Sequence, residues 1–253
     1  MDDDGSGRTV EVTRRGALRL VGGGFAAVFG AGAVGGASAS PGYRLRVLTF
    51  RTPDTTFGTG EEEAALRAYV SQFDDRYGGL RLTFEESGET YRGYDPRLSS
   101  AENRERFTSW LASSSAAARD GFVHLLMVSD YSPLWTGTVA SSADAGGYVP
   151  DGRAAAICNV ANKLRGGRTA WQATVMHEVG HALGCRHADG AQYPYLGSRA
   201  NSPMLLYYGS LFQDAPETCP GDGLDAVRST EHLSLRLTSC ALSSTREHLR
   251  THH

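Results

Sequence analysis

The chain has 253 residues, with 25 Lys plus Arg against 28 Asp plus Glu and a formal net charge of −3. Its 40% hydrophobic and 21% charged residues are ordinary for a globular protein, which excludes whole-chain disorder. The slightly acidic balance gives no electrostatic reason for a nucleic-acid partner.

In chain order the first segment, residues 1–39, reads as an export leader. Arg14-Arg15, within Thr13-Arg14-Arg15-Gly16, resembles a twin-arginine signal; a weakly apolar, Gly- and Ala-rich stretch follows, and Ala37-Ser38-Ala39 supplies an A-x-A cleavage site. A membrane anchor would need roughly 20 strongly apolar residues, and this stretch is shorter and rich in glycine. The expectation is a cleaved leader and one secreted domain over residues 40–253, without membrane insertion once the leader is gone.

A strand is expected over 43–51. A helix follows, with Thr59 before it and Glu61, Glu62 and Glu63 as a solvated first turn. Its apolar face is Leu66, Tyr69, Val70 and Phe73, and Gly78-Gly79 ends it. Leu80, Leu82 and Phe84 alternate as a second strand. A short helix over 103–119, a buried strand over 122–128, a loop with Pro133 and Gly137, and a strand over 154–160 come next. Thr169 can cap a longer helix that runs to about Leu183 and is stopped by Gly184. Glycine, proline and serine then dominate until a last helix over 229–242. The pattern predicts an α+β fold: a mixed sheet with packed helices and a mainly irregular C-terminal subdomain. Irregular stretches of that length are usually fixed by disulfides, a metal or both.

Chemistry concentrates in His177-Glu178-Val179-Gly180-His181. Residues four apart on a helix share a face, about 6 Å apart along the axis, so both imidazoles can bind one ion. Glu178, one step round, flanks that site and can act as a general base on a water at the metal. Gly184 and His187 extend the pattern to H-E-x-x-H-x-x-G-x-x-H, which arises by chance in roughly one such chain in twenty thousand. Gly184 permits a left-handed residue that turns the chain, and His187 returns as a third ligand with a fourth position open.

This segment resembles the zinc-binding signature of the metzincin metalloendopeptidases, and Ser202-Pro203-Met204 stands where that family carries its Met-turn. The resemblance implies a zincin-like, mixed twisted sheet with a long zinc-binding helix and an irregular C-terminal subdomain ending in a helix. It also implies one Zn²⁺ held by His177, His181 and His187, with Glu178 as catalytic base and Met204 packing beneath. Substrates would be proteins or peptides, lying extended along an edge strand within 135–149. Two places past the methionine the sequence has Leu206, so Tyr207 and Tyr208 are the candidates for holding the oxyanion or substrate. Ala188, after the third histidine, matches no subfamily.

Cys158, Cys185, Cys219 and Cys240 read as two disulfides in an exported chain, with three possible pairings. By analogy with the family the pairs would be Cys158–Cys240 and Cys185–Cys219. His124, in an apolar strand, reads as a satisfied core histidine. His232, His248, His252 and His253 read as solvated. Asp222-Gly223-Leu224-Asp225 hints at calcium but lacks the spacing of a calcium loop and reads as a turn. The functional expectation is a secreted zinc endopeptidase. The alternatives are a zinc exopeptidase or other amide hydrolase on the same triad, or a secreted zinc-binding protein without turnover. An oligomeric state is not legible.

Overall fold

The computed structural model describes residues 42–55, 60–129, 137–139, 148–149, 153–159, 167–205, 218–224 and 232–252. The leader (1–39), Thr59, Pro133, Leu206, Tyr207, Tyr208, Asp225 and His253 lie outside these residues.

The main sheet has a parallel heart. β1 (Tyr43–Arg51) lies between β2 (Leu80–Thr90) and β3 (Val123–Val128), and β6 (Arg153–Asn159) pairs with β3, all parallel. On the far side of β6, β4 (Gly137–Val139) and β5 (Tyr148–Val149) pair with it antiparallel. The sheet is thus mixed, and the fold is α+β. The 135–149 stretch does supply strands at the edge of the sheet, among the described residues.

Central parallel strands must be apolar on both faces, and β1 shows how. Leu45 and Val47 point to one layer; Leu48 and Phe50 point to the other. The first layer holds α1 (Gly60–Val70), α3 (Gly167–Ala182) and α4 (Ser239–His252); the second holds α2 (Ser100–Ser113). In that second layer Phe50, Tyr91, Phe107 and Trp110 pack ring to ring with centroids 5.2–6.0 Å apart. No helix among the described residues is long and apolar enough to cross a membrane.

Several expectations need correction. The second helix begins at Ser100 because Ser99 and Glu102 form a capping box, and it ends at Ser113. The first helix stops at Val70; Phe73 and Tyr77 stay buried through a turn and a 3₁₀ segment, Asp75–Tyr77. Its first turn is not simply solvated: Glu62 is buried and bonded to Arg51 (2.9 Å), and Glu61 bonds Arg168 and Gln172. Thr169 is no cap, since α3 already runs from Gly167.

The C-terminal third is less irregular than expected. It contains a small second sheet of β7 (Gln192–Tyr195), β8 (Ser198–Asn201) and β9 (His232–Leu233). The last helix does not span 229–242 but Ser239–His252. Thr238 sets its start, its hydroxyl accepting the N–H of Ala241 (3.0 Å).

One disulfide, Cys219–Cys240, joins the 218–224 loop to the first turn of α4. Cys158 and Cys185 are buried and form no disulfide, so both expected pairs are overturned. The reason for Cys185 is packing. Its sulfur is engaged by Ala241 O and the Thr245 hydroxyl of α4, while Cys240 is taken by Cys219.

Candidate metal centre

α3 carries His177, Glu178 and His181 on its buried side, and its C-terminus is built to deliver a third ring. Gly184 has φ +83°, and two hydrogen bonds close the end of the helix: Gly184 N–H to His181 O (3.1 Å) and Cys185 N–H to Gly180 O (2.9 Å). This double closure is a Schellman motif, which demands a left-handed residue at the glycine. A Cβ there would also press on His248 of α4 at 3.3 Å. After the turn, His187–Asp189 forms a 3₁₀ segment capped by Asp189, whose carboxylate accepts the N–H of Arg186 (2.7 Å).

The three imidazoles converge. His181 Nε2 lies 3.0 Å from His177 Nε2 and 3.1 Å from His187 Nε2. Tetrahedral ligands at a Zn–N length near 2.1 Å stand about 3.4 Å apart, so the spacing suits a single ion. The rest of the hydrogen bonding agrees. His177 Nδ1 donates to Pro203 O and His181 Nδ1 donates to Cys185 O, each at 2.8 Å. A carbonyl only accepts, so the proton of each ring sits on Nδ1 and the Nε2 lone pairs of His177 and His181 face each other. Facing lone pairs repel unless a cation lies between them, and backbone carbonyls behind ligating histidines are the usual means of orienting them.

Burial favours neutral rings. It lowers His181, and it pushes His187 down to about 4, with nearby His181 adding to the effect. Glu178 is itself buried, with Oε1 4.0 Å from His177 Nε2. It therefore stands beside the three-ring cluster without being part of it, and the cluster among the described residues consists of His177, His181 and His187.

Met204 lies in a buried turn at 203–205, and its sulfur touches α3 between the two ring-bearing turns: a Cβ on Gly180 would meet Sδ at 2.7 Å. The turn is tied to the His187 side of the site. Ala191 N–H donates to the Ser202 hydroxyl and Ser202 N–H returns to Ala191 O, both at 2.9 Å. Met204 thus packs; Pro203, one residue earlier, contributes the carbonyl that aims His177.

Other candidates fall elsewhere. His124 is fully buried and satisfied, accepting the N–H of Arg119 and donating to Ala154 O, each at 3.0 Å. His232 is exposed. His248 is buried against Gly184, contrary to the solvated reading. Gly223 has φ +82°, and Asp222 spends its carboxylate on the N–H of Ser239, so this segment is a turn that anchors α4.

Some residues of the site were not legible. The Cys185 and Pro203 carbonyls carry no side-chain signal. Thr238, whose hydroxyl donates to Asp189 O, and Thr245, beside Cys185, look like unremarkable threonines of a polar helix. The one available clue was spacing: Ala241, Thr245, His248 and Leu249 fall on one helical face, which a search for apolar residues alone overlooks. Burial also pushes the Cys185 thiol up to about 12, so it remains protonated.

No protein-family profile matches the sequence, and no curated protein matches it. Among solved structures the chain is similar to metalloproteinase-II from Bacteroides fragilis, at 16% identity and a TM-score of 0.45, over 61% of this chain and 46% of that one. It is similar to a chain of a chaperone–substrate complex at 12% and 0.44, over 84% and 35%. It is similar to archaemetzincin from Methanopyrus kandleri at 13% and 0.35, over 58% and 78%. The chain spans less than half the length of the first two of these. Likeness this distant carries no argument about chemistry. What stands on the residues themselves is a mixed α+β protein in which α3 and the turn after it gather three imidazoles around one point, with a buried carboxylate at its side.

Proposed function

We propose that the chain is a zinc-dependent peptide hydrolase of metzincin type, acting as an endopeptidase on protein or peptide substrates. The observation that carries this reading is the convergence of three Nε2 atoms, with the Nδ1 atoms of His177 and His181 donating to backbone carbonyls. The residues fit a zinc ion: three imidazole nitrogen donors and, among the described residues, no fourth side chain in the cluster, as a catalytic site requires. When bound, zinc supplies Lewis acidity to the scissile carbonyl and makes water acidic enough to attack near neutral pH.

The remaining steps belong to the chain. Glu178 takes the proton from the attacking water and hands it to the departing amine nitrogen, so one carboxylate serves as base and then as acid. Its burial keeps bulk water from competing for that proton. Tyr207 and Tyr208, following Met204 in sequence, are assigned to steadying the oxyanion or the substrate. The peptide adds as an extended strand beside the antiparallel edge formed by β4 and β5. Export through a twin-arginine leader over 1–39 completes the reading, and the disulfide is compatible with an oxidising destination.

The test is Glu178→Gln with metal content measured alongside cleavage of a quenched peptide library. The variant is expected to bind one zinc per chain and to lose about 10³-fold in kcat/KM. Undiminished cleavage removes Glu178 as the base; wild-type protein that binds zinc but cleaves nothing favours a binding protein. Release of terminal residues only identifies an exopeptidase.

A further inference from the structure

We infer that α4 sets the geometry of the metal ligands from behind, through the hydroxyls of Thr238 and Thr245 acting as positioning groups. This rests on the metal reading above and concerns residues that the H-E-x-x-H pattern does not contain.

Thr245 is fully buried and stands in a relay whose directions are forced by its end point. The Cys185 thiol donates to Ala241 O (3.4 Å), which can only accept. The Thr245 hydroxyl, 3.2 Å from Cys185 Sγ, then donates to that sulfur, and the Tyr69 hydroxyl donates to Thr245 Oγ1 (2.6 Å). The relay links α1, the turn after α3 and α4, and none of Tyr69, Thr245 and Cys185 is more than 3% exposed. Cys185 is the same residue whose carbonyl receives His181 Nδ1 (2.8 Å). Holding its side chain from one side fixes the carbonyl that aims the ring on the other.

Thr238 grips the second turn. Its hydroxyl donates to Asp189 O and accepts Ala241 N–H, so one side chain both caps α4 and holds the 3₁₀ segment that carries His187. Between the two threonines along α4, the Cys219–Cys240 disulfide anchors the first turn; beyond them, His248 packs on Gly184. The contacts run the length of α4, and two of the three rings depend on segments it touches. Groups behind a ligand typically change metal affinity by 10- to 100-fold when removed.

The test uses Thr245→Val and Thr238→Val, which keep shape and remove the hydroxyl, with Thr245→Ser and Thr238→Ser as rescues. Zinc affinity is measured by chelator competition on the full chain, and the visible absorption of the Co²⁺-loaded protein reports ligand geometry. Each valine variant is expected to bind zinc at least tenfold more weakly with an altered Co²⁺ band, and each serine variant to return within about threefold of wild type. Phe107→Leu, in the opposite layer, controls for lost stability; it is expected to lower the melting temperature and leave zinc affinity unchanged. Valine variants with wild-type affinity and spectrum overturn the inference, as does an equal loss of affinity in Phe107→Leu. If the wild-type chain binds no zinc at all, the metal reading itself falls, a result distinct from either.

Discussion

The two faces of the main sheet are weighted differently. The face covered by α2 is mainly an aromatic and aliphatic plug, with Phe50, Tyr91, Phe107 and Trp110 in mutual contact over Leu48, Leu126 and Ile157, and with His124 and Asn103 as buried polar side chains among them. The face covered by α1, α3 and α4 buries a comparable set of aliphatics, yet it also buries Glu62, Tyr69, Thr174, His177, Glu178, Cys185, Thr245 and His248. Buried polar groups cost stability unless each finds a partner. The structure meets much of that demand with specific bonds: Arg51 for one Glu62 oxygen, Ala170 O for Thr174, Pro203 O for His177 and the Tyr69–Thr245–Cys185 relay. The contrast teaches that one face supplies cohesion and the other spends part of its cohesion on placing chemistry.

The difference can be broken from either side. Phe107→Ala removes the centre of the aromatic plug and is expected to cost about 3–5 kcal/mol in urea unfolding. The remaining folded protein should still bind zinc with wild-type affinity; a weakened site would show that the two faces are coupled. Next in size is the disulfide. Cys219→Ala with Cys240→Ala opens a loop with a sequence separation of 21 and should cost about 3 kcal/mol, measured by thermal unfolding. Unlike Phe107→Ala, this change loosens the start of α4 and should weaken zinc binding as well.

Gly184→Ala is a smaller structural change on the chemical face. A Cβ at φ +83° beside His248 is expected to cost about 1–2 kcal/mol, with reduced metal affinity as the diagnostic readout. Unchanged affinity would mean that the turn tolerates displacement of α4.

The smallest effect is in pH dependence, where the faces should have opposite signs. Burial, opposed by Arg51, raises Glu62, so its contribution is greatest below the unfolded carboxylate value and declines as pH rises through the folded one. Hydrogen bonds from the Ser99 side chain and backbone lower Glu102, so its contribution is present above the unfolded value and is lost as pH falls through the folded one. Melting curves between pH 3 and 6 for Glu62→Gln and Glu102→Gln should therefore diverge from wild type in opposite directions. Parallel shifts would contradict the assignment of one carboxyl to a desolvated pair and the other to a helix cap.

The sequence alone was enough for what is periodic or local. Strands β1, β2, β3 and β6 follow from alternation and short apolar runs. The helix carrying His177, Glu178 and His181 follows from spacing, and its end at Gly184 follows from the one residue type that adopts a positive φ freely. The position of His187 followed as well, because three residues after a Schellman turn leave the chain little choice of direction. Tertiary structure decided what depends on which distant segments meet. Cys219 pairs with Cys240 while Cys158 and Cys185 stay outside any disulfide, because pairing is a matter of Cα proximity and sulfur direction that spacing does not encode. The start of α4 depends on Thr238 meeting both Ala241 and Asp189, and the burial of Glu62 depends on Arg51 lying opposite. Local pattern chooses backbone shape through steric and hydrogen-bonding preferences of neighbouring residues. The partners of a buried polar atom are chosen by the packing of the whole fold.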